Sequence, residues 1–544
     1  MGHELSRRNF LRGASIAGAV AATGLVAAGC APQTSSSLSA TGTSAEDVAW
    51  DEEYDFVVVG SGTAIYGALA AAENGGSVAV IEKASAIGGT TRLSGCAVWV
   101  PLNEHQEEEG FGSDASVEEL FDYVKTADIF NGSTDEEKRD YVENAAAVFR
   151  WVEENWGFRQ SVYTVLGDYL SLPQAKPLGR SLIHVDDTGE FLIGDDFYRA
   201  RIEPLLDARS VQVMTSTEVT ALIPDESGRI VGITAKKGSD TLNIKAAKGV
   251  LLGAGGFERN EDMRDAFLRG PLFGASSAPG CTGDGHRMGL SAGAALGNMG
   301  SVWQCPFYVV GEGLSNATDW GEYGGLPGSI TVNSKGRRFM DENTAYGAFN
   351  LPFYEFDTST SGFRNLPAFQ ICDATHVDFY GWPGYLEEKP EWFQEFASLE
   401  ELASACGIDE EGLKAEIERF NGFVDTGIDE DFRRCEGPYG KTNVAGYMVE
   451  RPELANPGMA KIETAPFYVA RIAPGTIGSS GGLKTNLNGQ VLNEDGEAID
   501  GLYACGNNSC AIFGSAYPGA GATDGPGFYR AFRAGCHAMG LDLV

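Results

Sequence analysis

Two glycines and an acid near the start of the chain have the spacing of a nucleotide-binding turn. Gly60 and Gly62 follow the apolar run FVVV and precede a helical pattern, and Glu82 stands at the end of the next apolar run. Such glycines let the backbone turn tightly and approach a pyrophosphate at a helix N-terminus, while the acid is placed to bind a ribose hydroxyl. The pattern predicts a bound dinucleotide and redox chemistry.

Two neighbouring features bear on this interpretation. The run GGTT at 88–91 follows the acid closely, and an ordinary strand–helix–strand unit without a ligand would leave it unexplained. Ile65 stands where such turns usually have Gly or Ala, which allow close packing of helix on sheet. We expect Gly67 to relieve the crowding.

The composition is that of a large, acidic globular protein. The chain has 544 residues, 72 glycines and a formal net charge of −36. Its length suffices for two or three domains around a large core. Because nucleic acids and anionic membranes bind basic surfaces, the charge argues against both as partners.

The N-terminus predicts export. The run SRRNFL at 6–11, followed by small and apolar residues from 14 to 28, is similar to a twin-arginine signal, a route for folded proteins to the cell surface or a periplasm-like space. The run AAGC ends the predicted signal at residue 30 and is similar to a lipobox. A form lipid-anchored at Cys30 and a soluble exported form both stay open. Residues 31–48 predict a flexible linker.

Ten cysteines are scattered along the chain, and none of them belongs to a CxxC or CxxCH pattern. Their spacing leaves open free thiols, one or two disulfides, and an iron–sulfur cluster such as [4Fe–4S] built from distant positions. No haem attachment site is predicted, and no residue is assigned as a metal ligand.

The element pattern predicts a nucleotide-binding domain interrupted by a second domain. Residues 49–304 are assigned to its first part, 305–460 to an aromatic-rich insertion, and 461–544, where strands and Gly-rich turns return, to its second part. The predicted fold class is α/β: a Rossmann-like nucleotide-binding domain with an inserted α+β capping domain, which would hold the substrate.

Helical spacing of apolar residues marks two further stretches. Residues 116–157 predict helices, and residues 398–424 predict one helical segment begun by Ser398, with Glu401 completing a capping box.

Several longer motifs then carry a resemblance. They are, in order, VVVGSG, IEKASAIGGTTRLSG, GVLLGAGGFERN, TGDG, ITVNSKGRRFMDE, GSSGGLKTN and GLYACGN. With them the chain, from residue 53 onwards, resembles the FAD-binding flavoprotein family that contains soluble fumarate reductases, urocanate reductases and 3-ketosteroid dehydrogenases. The resemblance implies FAD as the cofactor. The residues it implies for FAD binding are Gly60, Gly62, Thr63, Ala64, Glu82, Lys83, Gly89, Thr90, Thr91, Ser94, Gly95, Val219, Gly255, Gly256, Asp284, Gly482, Gly506, Asn507, Gly521 and Ala522.

The FAD is expected to be bound non-covalently, because no histidine lies between His3 and His105 to attach it in the nucleotide-binding turn.

The same resemblance distinguishes between substrates. Relatives that reduce dicarboxylates place Arg, His and Arg where this chain has Tyr346, Gly478 and Tyr517. Without these cations the charges of a dicarboxylate would stay unpaired, at a cost of several kcal/mol. The resemblance therefore disfavours fumarate.

The pattern of the 3-ketosteroid dehydrogenases fits instead, with Tyr517, Gly521, Tyr346 and Tyr169 at its four catalytic positions. In that group the tyrosine and the glycine corresponding to Tyr517 and Gly521 hold a carbonyl oxygen, and the other two tyrosines manage a proton beside it. Two fixed donors to a developing enolate form an oxyanion hole, with each donor worth about 3 kcal/mol. The alternative for each tyrosine is an interior aromatic whose hydroxyl is satisfied.

The chain has one dinucleotide-binding turn and no second one for a nicotinamide cofactor, so its electrons are expected to come from outside. With export, the resemblance implies an external donor, a membrane-associated cytochrome c, working under anaerobic conditions. The implied reaction saturates a C=C bond conjugated to a carbonyl in a neutral steroid-like substrate, such as a steroid enone or the unsaturated lactone of a cardiac glycoside like digoxin.

Three alternatives stay open. The first is a 3-ketosteroid dehydrogenase that runs the same site in the oxidative direction, and the second is a fumarate- or urocanate-type reductase of a small acid. The third is an exported flavin-binding electron carrier without substrate chemistry.

Overall fold

The computed structural model describes residues 48–169, 171–314, 317–319, 323–344, 351–383, 386–437, 451 and 453–541. The predicted signal with Cys30, most of the predicted linker, and Tyr346 lie outside these residues. Within them the chain forms an eight-stranded sheet, a seven-stranded sheet and three small sheets, with helices covering them.

The eight-stranded sheet, here called the cofactor sheet, is built around the predicted strand–turn–helix–strand unit. Its central strands pair in parallel and are apolar without alternation, as expected where helices or other layers cover both faces. In spatial order the strands are Gln490–Leu492, Ala498–Ala504, Asp240–Leu252, Glu52–Val59, Val78–Ile81 and Gln212–Met214, and the hairpin Glu218–Pro224 and Ile230–Lys237 pairs with Asp240–Leu252.

Two helices pack together on one face of the cofactor sheet. Ile65–Glu73 follows the glycine turn, and Asp524–Ala538, here called the C-terminal helix, returns to lie against it. A Cβ at Gly67 would come within 2.8 Å of the Ala531 carbonyl oxygen. Gly67 therefore allows the backbones of the two helices to approach closely.

The helices predicted in 116–157 are confirmed as Val117–Ala127 and Asp135–Trp156, which begin at Ser116 and Thr134 caps. The other helices of this half of the chain are Gly89–Leu93, His105–Glu108, Gly194–Phe197, Glu203–Ala208, Glu261–Phe267 and Asp284–Ser291, with a π-helical turn at Tyr198–Ile202.

A small antiparallel sheet connects these helices to the site described below. It consists of Val98–Trp99, Ser181–His184 and Gln160–Val162, with Ser181–His184 in the middle. Every residue of its first two strands is buried.

The seven-stranded sheet, here called the cap sheet, is formed mostly by strands of the inserted part. Its spatial order is Ala317–Asp319, Val302–Val309, Phe467–Ser479, Ala368–Asp373 and Ser329–Asn333, and Gly274–Ala275 and Gln394–Phe396 also pair with Phe467–Ser479. The last long strand thus stays in the cap sheet up to Ser479, beyond the predicted domain boundary at 460. The chain returns to the cofactor sheet only at Gln490–Leu492.

The helical segment predicted at 398–424 is two helices, Leu399–Cys406 and Glu410–Thr426. The first ends at Gly407, whose φ is +68°, and the second begins at Asp409, whose carboxylate accepts a hydrogen bond from the Gly412 amide. The remaining elements are the helix Ala374–Tyr380, short 3₁₀ turns at Tyr323–Gly325, Pro352–Tyr354 and Gly506–Asn508, and two-stranded pairs formed by Leu296–Gly297 with Gly482–Leu483 and by Phe356–Asp357 with Gly362–Phe363.

The predicted capping box is half right. The Ser398 hydroxyl accepts a hydrogen bond from the Glu401 amide, but the Glu401 carboxylate accepts one from the Ala397 amide instead of that of Ser398.

Candidate active site

A cavity of about 1350 Å³ lies where the parallel strands of the cofactor sheet end and the cap sheet begins. Ligands of open α/β sheets bind at this edge. Its wall has two parts. The nucleotide part is formed by Gly60, Gly62, Glu82, Lys83, Val219 and Asp284, and the aromatic part by Tyr163, Leu166, Tyr169, Trp303, Ile477 and Tyr517.

The first glycine of the turn in the nucleotide part has no room for a side chain. Gly60 has a φ of +93°, and a Cβ there would lie 2.3 Å from the Gly253 carbonyl oxygen. Gly89 and Gly95 also line the cavity, and a Cβ on either would meet nothing within 4 Å. Bare backbone therefore faces open space at these points, which fits the close approach of a dinucleotide such as FAD.

Glu82 is held at the end of its strand by neighbours that the sequence did not single out. Its carboxylate accepts hydrogen bonds from the Ser61 hydroxyl at 2.5 Å and the Ala84 amide at 2.8 Å. Ser61 in turn accepts a hydrogen bond from the Gly88 amide. The carboxylate is thus fixed between the glycine turn and the GGTT run, in the position predicted for binding a ribose hydroxyl.

Asp284 is the centre of a group of ion pairs in the nucleotide part. It lies at the start of the helix Asp284–Ser291 and forms ion pairs of 2.6 Å with Lys83 and with Arg287. Burial alone would raise the pKa of the Asp284 carboxyl, but the two cations hold that pKa below its usual range.

Asp524, the first residue of the C-terminal helix, lines the cavity although the sequence did not single it out. Its carboxylate accepts hydrogen bonds from the hydroxyls of Thr91 at 3.1 Å and Ser94 at 2.9 Å. Burial raises the pKa of Asp524 to about 6 against the lowering effect of these two donors. It joins two predicted cofactor residues to the chain's last helix.

The structure places most of the predicted cofactor residues on one wall. Gly60, Gly62, Thr63, Glu82, Lys83, Gly89, Thr90, Thr91, Ser94, Gly95, Val219, Gly255, Asp284, Gly506, Asn507 and Gly521 line the cavity, whereas Ala64, Gly256, Gly482 and Ala522 lie behind it. A Cβ at Gly482, for instance, would meet the backbones of Asn508 and Ser509 within 2.6 Å. Gly482 is therefore packed against backbone and does not face the cavity.

The aromatic part brings two of the predicted catalytic tyrosines together from distant parts of the chain. The rings of Tyr169 and Tyr517 stack with centroids 5.4 Å apart, and the Trp303 ring stands edge-on to Tyr517 at 6.3 Å. Burial raises the pKa of the Tyr517 hydroxyl, which therefore stays protonated and able to donate. The third tyrosine, Tyr346, lies outside the described residues.

Gly521 sits where no other residue fits. Its φ is +86°, and a Cβ there would lie 2.4 Å from the carbonyl group of Ala97. Its carbonyl oxygen accepts a hydrogen bond from the Trp99 amide. The loop that carries Tyr517 is thereby pressed against the strand Val98–Trp99.

Among the described residues, each cation that lines the cavity has a protein partner. Lys83 and Arg287 pair with Asp284, and the Arg259 guanidinium donates to the carbonyl oxygens of Ala275 at 2.7 Å and Ser277 at 2.6 Å. The side chains that define the aromatic part are all uncharged.

The nine cysteines of the described residues are free thiols. In the same part of the chain, no three or more His, Cys, Asp or Glu side chains are grouped so that they could hold a metal ion. Nor does any helix described here have the length and apolar character needed to cross a membrane.

Known proteins share this architecture. Residues 55–523 match the family described as FAD binding domain. The 3-oxosteroid 1-dehydrogenase of Mycolicibacterium smegmatis is 32% identical, over 87% of this chain and 95% of the relative. The digoxin reductase of Eggerthella lenta is 28% identical, over 94% of this chain and 92% of the relative. The crystal structure of 3-ketosteroid delta1-dehydrogenase from Sterolibacterium denitrificans, in complex with 1,4-androstadiene-3,17-dione, is 29% identical and covers 90% of this chain and 100% of its own, with a TM-score of 0.81.

The chain therefore belongs to the FAD-binding domain family, among the fumarate reductase-like and ketosteroid dehydrogenase-like flavoproteins that its motifs predicted. It is a flavin-dependent oxidoreductase acting on CH–CH groups, and its cofactor is FAD. The predicted fold class, a Rossmann-like FAD-binding domain with an inserted capping domain, is confirmed.

Replacing Glu82 tests the nucleotide part. Glu82→Gln should weaken FAD binding by about 1.5–3 kcal/mol, because a neutral amide replaces a charged hydrogen-bond acceptor. The measurement is the flavin-to-protein absorbance ratio after dialysis against FAD-free buffer. Glu218→Gln is the control, since Glu218 also lines the cavity but is exposed. Equal FAD retention by the two variants would show that Glu82 does not hold the nucleotide.

Proposed function

We propose that this protein is an exported FAD-dependent reductase that saturates a C=C bond conjugated to a carbonyl in a neutral, steroid-like substrate. The observation that carries the proposal is the stacked pair of Tyr169 and Tyr517 in an aromatic cavity wall. A steroid enone and the unsaturated lactone of a cardiac glycoside such as digoxin both have the required carbonyl and fused apolar rings.

The aromatic part suits a neutral ring system. Burial of apolar surface there contributes about 25 cal/mol per Å² and needs no counter-ion. A dicarboxylate would instead lose its hydration beside uncharged side chains, while the nearest described cations are occupied by Asp284 and by backbone carbonyls. This contrast favours a neutral substrate over fumarate or urocanate.

The proposed chemistry depends on donors to the carbonyl oxygen. The Tyr517 hydroxyl and the Gly521 amide polarise the carbonyl and stabilise the enolate that develops when hydride reaches the β-carbon. FAD, when bound, supplies that hydride in its reduced form. Tyr346 then gives a proton to the α-carbon, with Tyr169 behind it, so that one C=C bond gains the equivalent of H₂.

The relatives support this class of substrate, and their names include both directions of the reaction. One similar protein is named a 3-oxosteroid 1-dehydrogenase and another a digoxin reductase. The same donors would serve either direction, because the enolate is common to both. The oxidative direction, favoured by the similarity to ketosteroid dehydrogenases, is the second candidate.

The predicted signal and the single nucleotide-binding turn favour the reductive direction. An exported flavoprotein without a nicotinamide site needs an external electron source, and we assign this role to a membrane-associated cytochrome c. A plain electron carrier would have no use for the aromatic part, which makes that alternative weaker.

A panel of acceptors tests substrate and direction together. The protein is reduced under anaerobic conditions and mixed with a steroid unsaturated lactone, a steroid enone, fumarate or urocanate, and flavin reoxidation is followed by absorbance. We expect fast reoxidation by the neutral steroids alone. Reoxidation by fumarate or urocanate alone would contradict the proposal, and rapid reduction of the oxidised protein by a saturated 3-ketosteroid, without reoxidation by any enone, would establish the dehydrogenase direction.

Tyr517→Phe tests the donor to the carbonyl oxygen. The limiting rate of reoxidation by the enone should fall roughly 100- to 1000-fold, the loss found when one donor of an oxyanion hole is removed. The half-saturating enone concentration should change little, because the contact matters mainly in the transition state. Tyr503→Phe is the control, since the Tyr503 hydroxyl bonds His537 away from the cavity. A full limiting rate in Tyr517→Phe would refute the assignment.

Export is tested by replacing Arg7 and Arg8 with lysine. The twin-arginine route requires the arginine pair, so we expect the double variant to stay in the cytoplasm with its FAD bound. Cell fractionation followed by immunoblotting measures this. Equal export of the double variant and the native protein would rule out the route.

A further inference from the structure

We propose that Asp168 and Arg180 form a buried anchor that positions Tyr169 against Tyr517, so that Asp168 is a positioning residue for the reaction. This inference rests on the proposed function, because it assigns a role to the tyrosine pair. Asp168 does not line the cavity, whereas Leu166 and Tyr169 on either side of it do.

The Asp168 carboxylate contacts two other segments of the chain, at Trp99 and at 176–180. One oxygen accepts a hydrogen bond from the Trp99 indole N–H at 2.8 Å, and the other accepts one from the Lys176 amide at 2.8 Å. That second oxygen also pairs with the Arg180 guanidinium. Asp168 and Arg180 are both buried, so these contacts are shielded from solvent.

Arg180 extends the anchor to the loop that carries Tyr517. Its guanidinium also pairs with Asp114 at 2.8 Å and lies over the Tyr123 ring, 5.5 Å from the ring centroid. The Tyr123 hydroxyl donates to the Pro518 carbonyl oxygen at 2.7 Å, and the Tyr169 amide donates to the same oxygen at 2.9 Å. Pro518 is therefore held from both sides.

The backbones of the two tyrosine-bearing loops meet directly at Asp168. Asp168 and Gly519 form an antiparallel bridge, and the Ala520 amide donates to the Gly167 carbonyl oxygen. A Cβ at Gly519 would lie 2.5 Å from the Trp99 ring. A displacement of the carboxylate would consequently move Tyr169, its direct neighbour in sequence, relative to Tyr517.

A contribution to the free energy of unfolding is a poor explanation for the buried ion pair of Asp168 and Arg180. Replacing a buried ion pair by apolar side chains of similar volume is often neutral or stabilising, so burying these charges is weak evidence for a stabilising role. A fixed charge network does, however, hold its members in one geometry. Misplacing reacting groups by about 1 Å can cost on the order of 100-fold in rate.

Asp168→Asn tests the anchor in the FAD-loaded protein. The asparagine keeps the size and one acceptor but loses the charge opposite Arg180, which still has Asp114. With 1,4-androstadiene-3,17-dione as the probe, we expect the limiting rate of reoxidation to fall roughly tenfold to 100-fold. The half-saturating concentration, the FAD content and the dissociation constant of the probe from the oxidised protein, followed by the flavin spectrum, should stay within about threefold of native values.

The matched control is Asp140→Asn. Asp140 likewise pairs with an arginine, Arg533, at 2.7 Å and accepts a hydrogen bond from an aromatic residue, Tyr529, at 2.8 Å. It lies on the helix Asp135–Trp156, its two partners lie on the C-terminal helix, and it does not line the cavity. Its limiting rate per bound FAD should equal that of the native protein even if its melting temperature falls.

A double variant separates positioning from general damage. In a Tyr517→Phe background Tyr169 is still present, but the hydroxyl against which the anchor positions it is gone, so Asp168→Asn should cost less than about threefold in limiting rate. An equal loss in both backgrounds, a loss fully explained by lower FAD content, or an unchanged rate in the single variant would each overturn the inference. If Asp168→Asn yields no folded holoenzyme, Arg180→Lys, which keeps the cation but loses the guanidinium fork, is expected to give the same pattern with a smaller loss.

The outcomes also separate this inference from the proposed function. A full limiting rate in Tyr517→Phe would overturn the proposed function and the anchor with it. A large loss in Tyr517→Phe with no loss in Asp168→Asn would overturn the anchor alone.

Discussion

The arrangement depends on one close backbone contact. Three glycines of the C-terminal segment, Gly519, Gly521 and Gly525, lie against the strand Val98–Trp99. A Cβ on any of them would come within 3.1 Å of that strand or of a residue next to it. A segment near the C-terminus is thereby fixed on one from the first hundred residues. This contact sets the depth of Tyr517, the start of the C-terminal helix and the position of Asp524. The contact thereby supports Tyr517 of the aromatic part and also Asp524, whose carboxylate accepts hydrogen bonds from Thr91 and Ser94.

The cavity separates charge from apolar surface along one wall. Carboxylates and their cations cluster where the parallel strands end, while uncharged rings gather where the cap sheet contributes Trp303 and Ile477. The nucleotide part suits a polar, phosphorylated ligand, and the aromatic part suits a neutral, bulky one. The two parts share the cavity with Tyr517, to which we assign the hydrogen bond to the substrate carbonyl.

Much of this was predictable from local sequence. The glycine turn, Glu82 and the helices within 116–157 depend on residues close together in the chain, and the structure has them where the spacing put them. The strand Phe467–Ser479 lies after the predicted boundary at 460 but pairs within the cap sheet, because an apolar run does not reveal which sheet it will join. The apolar spacing over 398–424 predicts one helical segment, because a glycine inside a helical pattern is tolerated, whereas in the structure Gly407 ends the first of two helices.

The candidate site was predictable only in outline. Motifs gave the tyrosines, but nothing in the sequence pairs Asp168 with Trp99 or stacks Tyr169 on Tyr517, since these partners are far apart in the chain. The sequence does not distinguish Asp524, because an acid at the start of a helix is common. Its hydrogen bonds come from Thr91 and Ser94, which are more than 400 residues away in the chain. Such contacts arise from tertiary packing, which the local sequence pattern does not predict.

The strands that lead into and out of the insertion lie side by side, with Val302 opposite Ser479 and Trp303 opposite Gly478. The ends of the inserted stretch are thus joined by a ladder of hydrogen bonds, and the entropic cost of closing the stretch grows only slowly with its length. The insertion therefore enters and leaves the rest of the molecule at one place, through the paired strands Val302–Val309 and Phe467–Ser479. A lineage could exchange the insertion for another shape and change what it oxidises or reduces, while the machinery that holds the flavin stays as it is.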